Sequence, residues 1–267
     1  MEHILSMYEK QMMSHTEQKI YFSLTPGKIY DVRFIKQITG VNAETLSVLL
    51  SKLAKKGWIT RLKKGVYFIN YLNKNTLEDI FIAAQDIFNG YIGFSSALYL
   101  YGAVDEFPSV IYVCTAKKSS SITVNKIELR AVSLGKRATG MVVYKDYFVS
   151  SKAKTLYDCF YKPELSGGYS TILSAVPRLQ LTASDWREFI FYVEKFGNPS
   201  FSRKAGFLLE LLSKKIKISI PDFVFSKLNV GNQITKLGSG KEGKFIKKWK
   251  LVNYVGDGDL FGRLFYG

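Results

Sequence analysis

The sequence predicts an α+β protein in which an N-terminal winged helix-turn-helix is followed by a larger mixed α/β C-terminal domain. Two observations carry this expectation. Within residues 31–69 a helix, a glycine turn, a second helix and a β-hairpin follow one another, and strand-like runs between 110 and 148 are flanked by segments of helical periodicity. The 267 residues are 47% hydrophobic and 15% aromatic, which is material enough for one large core or two ordinary ones. The expected division is 1–72 for the winged helix and 73–267 for the second domain, which should fold separately because a break near Asn70–Asn75 splits no periodic element.

The first twenty residues read as a helix running through Met7, Tyr8, Met12 and Met13, with its Met stripe used for packing. A short helix follows from Asp31 to Thr39, with Val32, Ile35 and Ile38 as its apolar positions, and ends at the turn Gly40-Val41. Asn42 opens the next helix as an N-cap, its side-chain oxygen able to take an unpaired backbone N–H, and that helix runs to Lys56 before Gly57. Leu46, Leu49, Leu50 and Leu53 share one face. At 100° per residue Glu44, Val48, Ser51 and Lys55 lie opposite, flanked by Ser47 and Lys52. Trp58–Leu62, the turn Lys63-Lys64-Gly65 and Val66–Ile69 complete a hairpin, the wing.

Beyond it, helices are expected over 77–88, 95–101, 152–161, 169–179, 184–196 and 202–212. Strands are expected over 110–115, 121–123, 127–132 and 141–148, and the chain closes with basic strands around 244–254 and 260–265. No internal repeat or low-complexity segment appears. Ile87 to Val104 carries no charge, but three glycines and the hydroxyls of Tyr91, Tyr99 and Tyr101 make it a buried segment rather than a membrane span.

Charge narrows the function. Thirty-eight Lys and Arg against 22 Asp and Glu give a net charge of +16, which points to a polyanionic partner. The second helix offers a face to the major groove, where Val48 could pack on a thymine methyl and Glu44 accept from a cytosine amino group. The contact set expected for double-stranded DNA is Asn42, Glu44, Thr45, Ser47, Val48, Ser51, Lys52 and Lys55 on the helix, with Arg61, Lys63 and Lys64 on the wing touching phosphate. His3 and His15 are the only histidines, so the body of the chain lacks an imidazole base or ligand; no catalytic residues, cofactor or metal are expected. Cys114 and Cys159 form no CxxC pair and read as buried thiols. Without an apolar leader the chain is expected to stay cytoplasmic.

Two enzyme-like signals fall short. Gly238-Ser-Gly-Lys-Glu-Gly-Lys244 matches most of a phosphate loop, but Phe245 stands where the magnesium-binding hydroxyl is required, and the segment reads as a basic hairpin. Gly238-Ser239 with Asp257-Gly-Asp259 is too widely spaced for a nucleotidyltransferase metal site, and the acidic pair reads as a turn.

Several segments in order carry a family resemblance. Lys64-Gly65-Val66-Tyr67-Phe68 ends the wing, and Tyr91-Ile-Gly-Phe-Ser95-Ser96-Ala97-Leu98-Tyr-Leu-Tyr-Gly102 follows. Lys154-Thr155-Leu156-Tyr157-Asp158 and Arg203-Lys-Ala-Gly206-Phe-Leu-Leu-Glu210 come later. Together, over roughly residues 28–212, the chain resembles the AbiEi antitoxin and transcriptional-regulator family of abortive-infection systems. The resemblance implies a winged helix that represses its own operon, with inverted repeats in the operator. It also implies a C-terminal domain that counters a nucleotidyltransferase-fold toxin, a stable complex not being required. Ser95, Ser96, Lys154, Thr155, Asp158 and Arg203 are the antitoxin-domain positions it marks. From the residues alone, Ser95 could be a helix N-cap, Thr155 and Asp158 could bond backbone near a helix start, and Arg203 could pair with Glu210 or another carboxylate. The N-terminal extension to Gln18 and the lysines 241, 244, 247, 248 and 250 fall outside the pattern. A nucleotide-handling enzyme with a winged-helix accessory, or a winged-helix interaction module, are the alternatives.

Overall fold

The computed structural model describes residues 12–70, 77–124 and 127–265 and is of the α+β class, with a winged-helix-like N-terminal part, a mixed sheet and a helical region. The first described helix, α1, spans His15–Phe22, so Met12 and Met13 precede it, and the expected stretch around Met7 lies outside the described residues. Its start is fixed by a capping box, in which the Ser14 hydroxyl accepts from the Glu17 amide while the Glu17 carboxylate accepts from the Ser14 amide. A short strand that the sequence pattern did not announce, β1 (Ile29–Asp31), leads into α2 (Val32–Thr39), which the Asp31 side chain caps. Gly40 stops α2 in the left-handed conformation at φ +67°, a shape open to glycine without a Cβ penalty. Then come α3 (Ala43–Lys55), β2 (Ile59–Lys63) and β3 (Val66–Ile69), with strand order β1-β3-β2.

Ile20 and Tyr21 of α1, Ile35 of α2, the four leucines of α3, and Ile59, Tyr67 and Ile69 of the sheet close one core. Each fully buried leucine contributes about 1.5–3 kcal/mol, so the stripe is what fixes α3 against the hairpin. Asn70 seals the far end, donating to the Gly57 carbonyl and accepting from the Thr60 hydroxyl. The central strand is buried on both faces, however. Phe68 points away from Tyr67 and Ile69 into a second core with Phe81, Ile92, Val113 and Val149, and Ile29 and Leu62 pack beside it. The register of β2 shifts between Arg61 and Lys63, so Leu62 is the extra residue of a bulge. The winged helix therefore shares a core with residues 77–149, where the sequence suggested separate folding.

After α4 (Leu77–Phe88) a six-stranded mixed sheet is assembled from β4 (Tyr91–Ile92), β5 (Val110–Thr115), β6 (Ser120–Val124), β7 (Ile127–Ser133), β8 (Met141–Tyr144) and β9 (Tyr147–Ser150), in the order β6-β7-β5-β4-β9-β8. Alternation along β5 sends Ile111 and Val113 toward α4, and Tyr112 and Cys114 to the opposite face with Tyr91, Phe94 and Val132. The single strand expected over 141–148 is a hairpin, because the chain turns at Lys145, whose φ is +53°. The helix α5 spans Phe94–Leu100 and is preceded by Gly93. Hence the uncharged run from Ile87 to Val104 is divided among α4, β4 and α5, and no helix of the described residues is long and apolar enough to cross a membrane.

The helical region packs α6 (Lys152–Tyr161), α7 (Gly168–Leu179), α8 (Ala183–Phe196), α9 (Pro199–Ile216) and α10 (Asp222–Lys227) around a third core. The expected strand over 260–265 is instead helix α11 (Asp257–Phe265). Leu260 and Phe261 are buried at adjacent positions and Leu264 lies one turn later, a spacing that seats a helix on the core, while Asp257 and Asp259 lie in its first turn rather than in a reverse turn. The basic segment before it is also broken up. β10 (Thr235–Leu237), β11 (Lys244–Ile246) and β12 (Leu251–Asn253) form a small sheet with β12 central, so Gly238–Lys244 joins the two outer strands and is not a hairpin turn.

Candidate nucleic-acid interface

The face expected to meet a groove is built by the same stripe that builds the core. With Leu46, Leu49, Leu50 and Leu53 buried, Glu44, Ser47, Val48, Ser51, Lys52 and Lys55 are all exposed on α3. Val48 is 55% exposed although apolar, which packing does not require. The Asn42 side chain accepts from the Thr45 amide at 2.9 Å, so Asn42 is the cap, and the backbone N–H of Thr45 is satisfied by it. Lys56, one residue past the helix, is half-buried and its ammonium is paired with the buried Glu17 at 2.6 Å. Burial raises the Glu17 carboxyl, but Lys56 and the Ser14 amide and hydroxyl outweigh it and hold the group below its usual range.

At the wing, Arg61 and Lys64 are exposed, and Lys63 pairs in register with Val66 at the last rung of the hairpin. Gly65 adopts φ +75° and its carbonyl accepts from the Val32 amide at 2.8 Å, tying the wing tip to the first turn of α2. The helix face and the wing stand on the one core that α3 and the hairpin share.

The positions marked by the family resemblance are placed differently. Ser95 lies inside α5 and caps nothing; Gly93 takes that place with no side-chain bond. The Ser96 hydroxyl donates to the Val110 carbonyl and accepts from the Tyr112 amide, stitching α5 to the edge of β5. Lys154 and Asp158 are fully buried and form an ion pair one helical turn apart, with Nζ at 2.6 and 2.5 Å from the two carboxylate oxygens. Burial pushes the Asp158 carboxyl up, to about 6, against the pull of Lys154 and Arg137. The Thr155 hydroxyl meets the Ser150 carbonyl and hydroxyl. Asp158 therefore bonds a side chain, not the backbone. Burial places this motif inside the fold, where it joins α6 to β9.

Arg203 also departs from the expected pairing. Its Nε donates to the Val230 carbonyl at 2.7 Å and its Nη1 to the Thr235 hydroxyl at 2.5 Å, while Glu210 is taken by the Trp249 indole, Lys214 and Lys248. Gly206, between them on α9, lies under the Trp249 ring so closely that a Cβ would sit 2.1 Å from it. Trp249, which lies outside the sequence motif, is what gives that glycine its purpose. The groove beside Arg203, lined also by Lys204, Asn232, Gln233 and Lys236, has no signal in the sequence either, since its parts lie about thirty residues apart and meet only through the loop before β10.

No family model and no curated protein matches this chain. Among solved structures it is similar to the crystal structure of the RV2827C protein from Mycobacterium tuberculosis, with a TM-score of 0.62 and 12% sequence identity over 91% of this chain and 93% of that one. At that identity the likeness extends over nearly the whole of both chains and establishes a shared fold.

Proposed function

We propose that this protein is a DNA-binding transcriptional repressor that autoregulates a toxin–antitoxin operon and, through its C-terminal domain, counteracts a nucleotidyltransferase-fold toxin. One observation carries the DNA-binding part: α3 turns four leucines inward and leaves Glu44, Ser47, Val48, Ser51, Lys52 and Lys55 exposed beside the exposed wing residues Arg61 and Lys64. A net charge of +16 supports a polyanionic partner. The antitoxin part rests on the family resemblance, and because Ser96, Lys154, Thr155, Asp158 and Arg203 are buried, they support it as residues that shape the domain rather than as a toxin-contacting surface. Catalysis has no part in this function.

Footprinting of the full-length chain on the DNA upstream of its own reading frame tests the first part. Substituting Glu44 and Val48 is expected to change sequence preference by about 1–3 kcal/mol per base pair contacted. Uniform weakening on every sequence would defeat the assignment of these two residues to base contact. Growth of cells expressing the neighbouring toxin and this chain from separate promoters tests the second part, and failure of the intact chain to restore growth would remove the antitoxin role.

A further inference from the structure

The groove at the start of α9 has the composition of an anion site. Its volume is about 770 Å³, and its lining contains Arg203, Lys204 and Lys236 but no carboxylate. Arg203 is 2% exposed and has no acidic partner among the described residues. Its Nε and Nη1 are held by neutral oxygens, whereas Nη2 has no acceptor among the described residues. Burying a guanidinium beside only neutral groups is costly, because removal from water penalises the charge and nothing of opposite sign offsets it.

A second feature of the same groove has the same sign. The 18-residue helix α9 starts there, with Asn198 as N-cap and Pro199 in its first turn. The Asn198 side chain satisfies the Phe201 amide, proline has no N–H, and the Ser200 amide is left without an acceptor among the described residues. The positive end of the helix dipole lies at the groove, which Asn198, Pro199 and Ser200 line together with Lys204 and Lys236. The loop that forms the other wall is fastened by Lys250, whose Nζ donates to the Gly231 carbonyl and the Asn232 side chain. The fastening adds a further cation and no acid.

We infer that this groove binds a phosphate group, with the Arg203 guanidinium at its base, the Ser200 amide at the helix end, and Lys204 and Lys236 at the rim. Several converging cations match a doubly charged oxyanion better than a single carboxylate, and Nη2 of Arg203, the guanidinium nitrogen without an acceptor among the described residues, supplies a charge-assisted donor. This site is separate from the winged helix and does not depend on its reading. The phosphate could belong to a free polyphosphate or to a nucleic-acid backbone.

The test uses the full-length chain and pyrophosphate, titrated calorimetrically against sodium chloride of matched ionic strength. Pyrophosphate is expected to bind. The variant K204A/K236A, altered only at the rim, should bind at least tenfold more weakly while unfolding at the same temperature as the parent without ligand. Arg203→Lys is expected to weaken binding further, and its circular dichroism checks that it is folded. A short duplex lacking operator sequence is then added: displacement of pyrophosphate assigns the site to a nucleic-acid backbone, and coexistence assigns it to a free polyphosphate. Absence of pyrophosphate binding, or equal binding by parent and K204A/K236A, overturns the proposal.

Discussion

Lys154 and Asp158 show how a charged motif can be structural. Both side chains are fully buried, so each is tolerable only in the presence of the other. Lys154→Met leaves the buried Asp158 carboxylate without its paired ammonium and is expected to cost about 3–5 kcal/mol, whereas Lys154→Met with Asp158→Leu should recover most of that loss. Denaturant midpoints of the two single variants and the double variant measure the coupling; simple additivity would show that the pair is not the unit. Glu17 gives a pH signature of opposite origin. Its folded pKa lies below the ordinary 4.5, so its contribution to stability is complete above that value and is lost as pH falls through the folded one. Urea unfolding at pH values from about 5 down to about 3 should show Glu17→Gln with a flatter acid limb than the parent. Parallel limbs would show that Glu17 makes no such contribution.

At the scale of elements, the proposed DNA binding would divide the work of recognition between α3 and the wing. A helix face can read base edges, while a basic turn reads only backbone charge. Replacing Lys63 and Lys64 with glutamine is therefore expected to weaken binding to all duplexes and to make the plot of log affinity against log salt shallower by about 0.9 for each phosphate the wing ceases to neutralise. An unchanged slope would place the wing away from phosphate. The short strand β4 illustrates a different dependence. It is two residues long and holds the sheet together only because β5 and β9 pair with it on either side.

For the whole molecule, the decisive contact is Phe68. It is 1% exposed, projects from the winged helix's central strand, and belongs to the core under α4 and the large sheet, with Lys28 and Asp86 paired at 3.6 Å across the same junction. Phe68→Ala is expected to destabilise by about 3–5 kcal/mol and to separate one calorimetric unfolding transition into two. Two transitions already present in the parent, unmoved by the substitution, would show that the halves fold independently after all. A fragment starting near residue 77 would expose the apolar surface that Phe68 covers, which bears on any assay of the C-terminal region alone.

The sequence by itself determined the two helices and the hairpin between residues 31 and 69 nearly to the residue, because their signals are local: Asn42 caps, Gly40, Gly57 and Gly65 turn, and four leucines at helical spacing leave one face outside. It also determined most of the order of helices and strands and the net charge of +16. Tertiary structure decided the rest. Leu260, Phe261 and Leu264 fit a short strand or a short helix equally well until a core is there to receive them, and only the packing of α11 distinguishes the two. Whether Lys154, Asp158 and Arg203 faced a partner or the interior could not be read from their spacing, because burial is set by elements far away in the chain. Arg203 meets its partners through residues 230 and 235, and Gly206 meets the Trp249 ring, contacts that exist only once α9 and the last small sheet have come together.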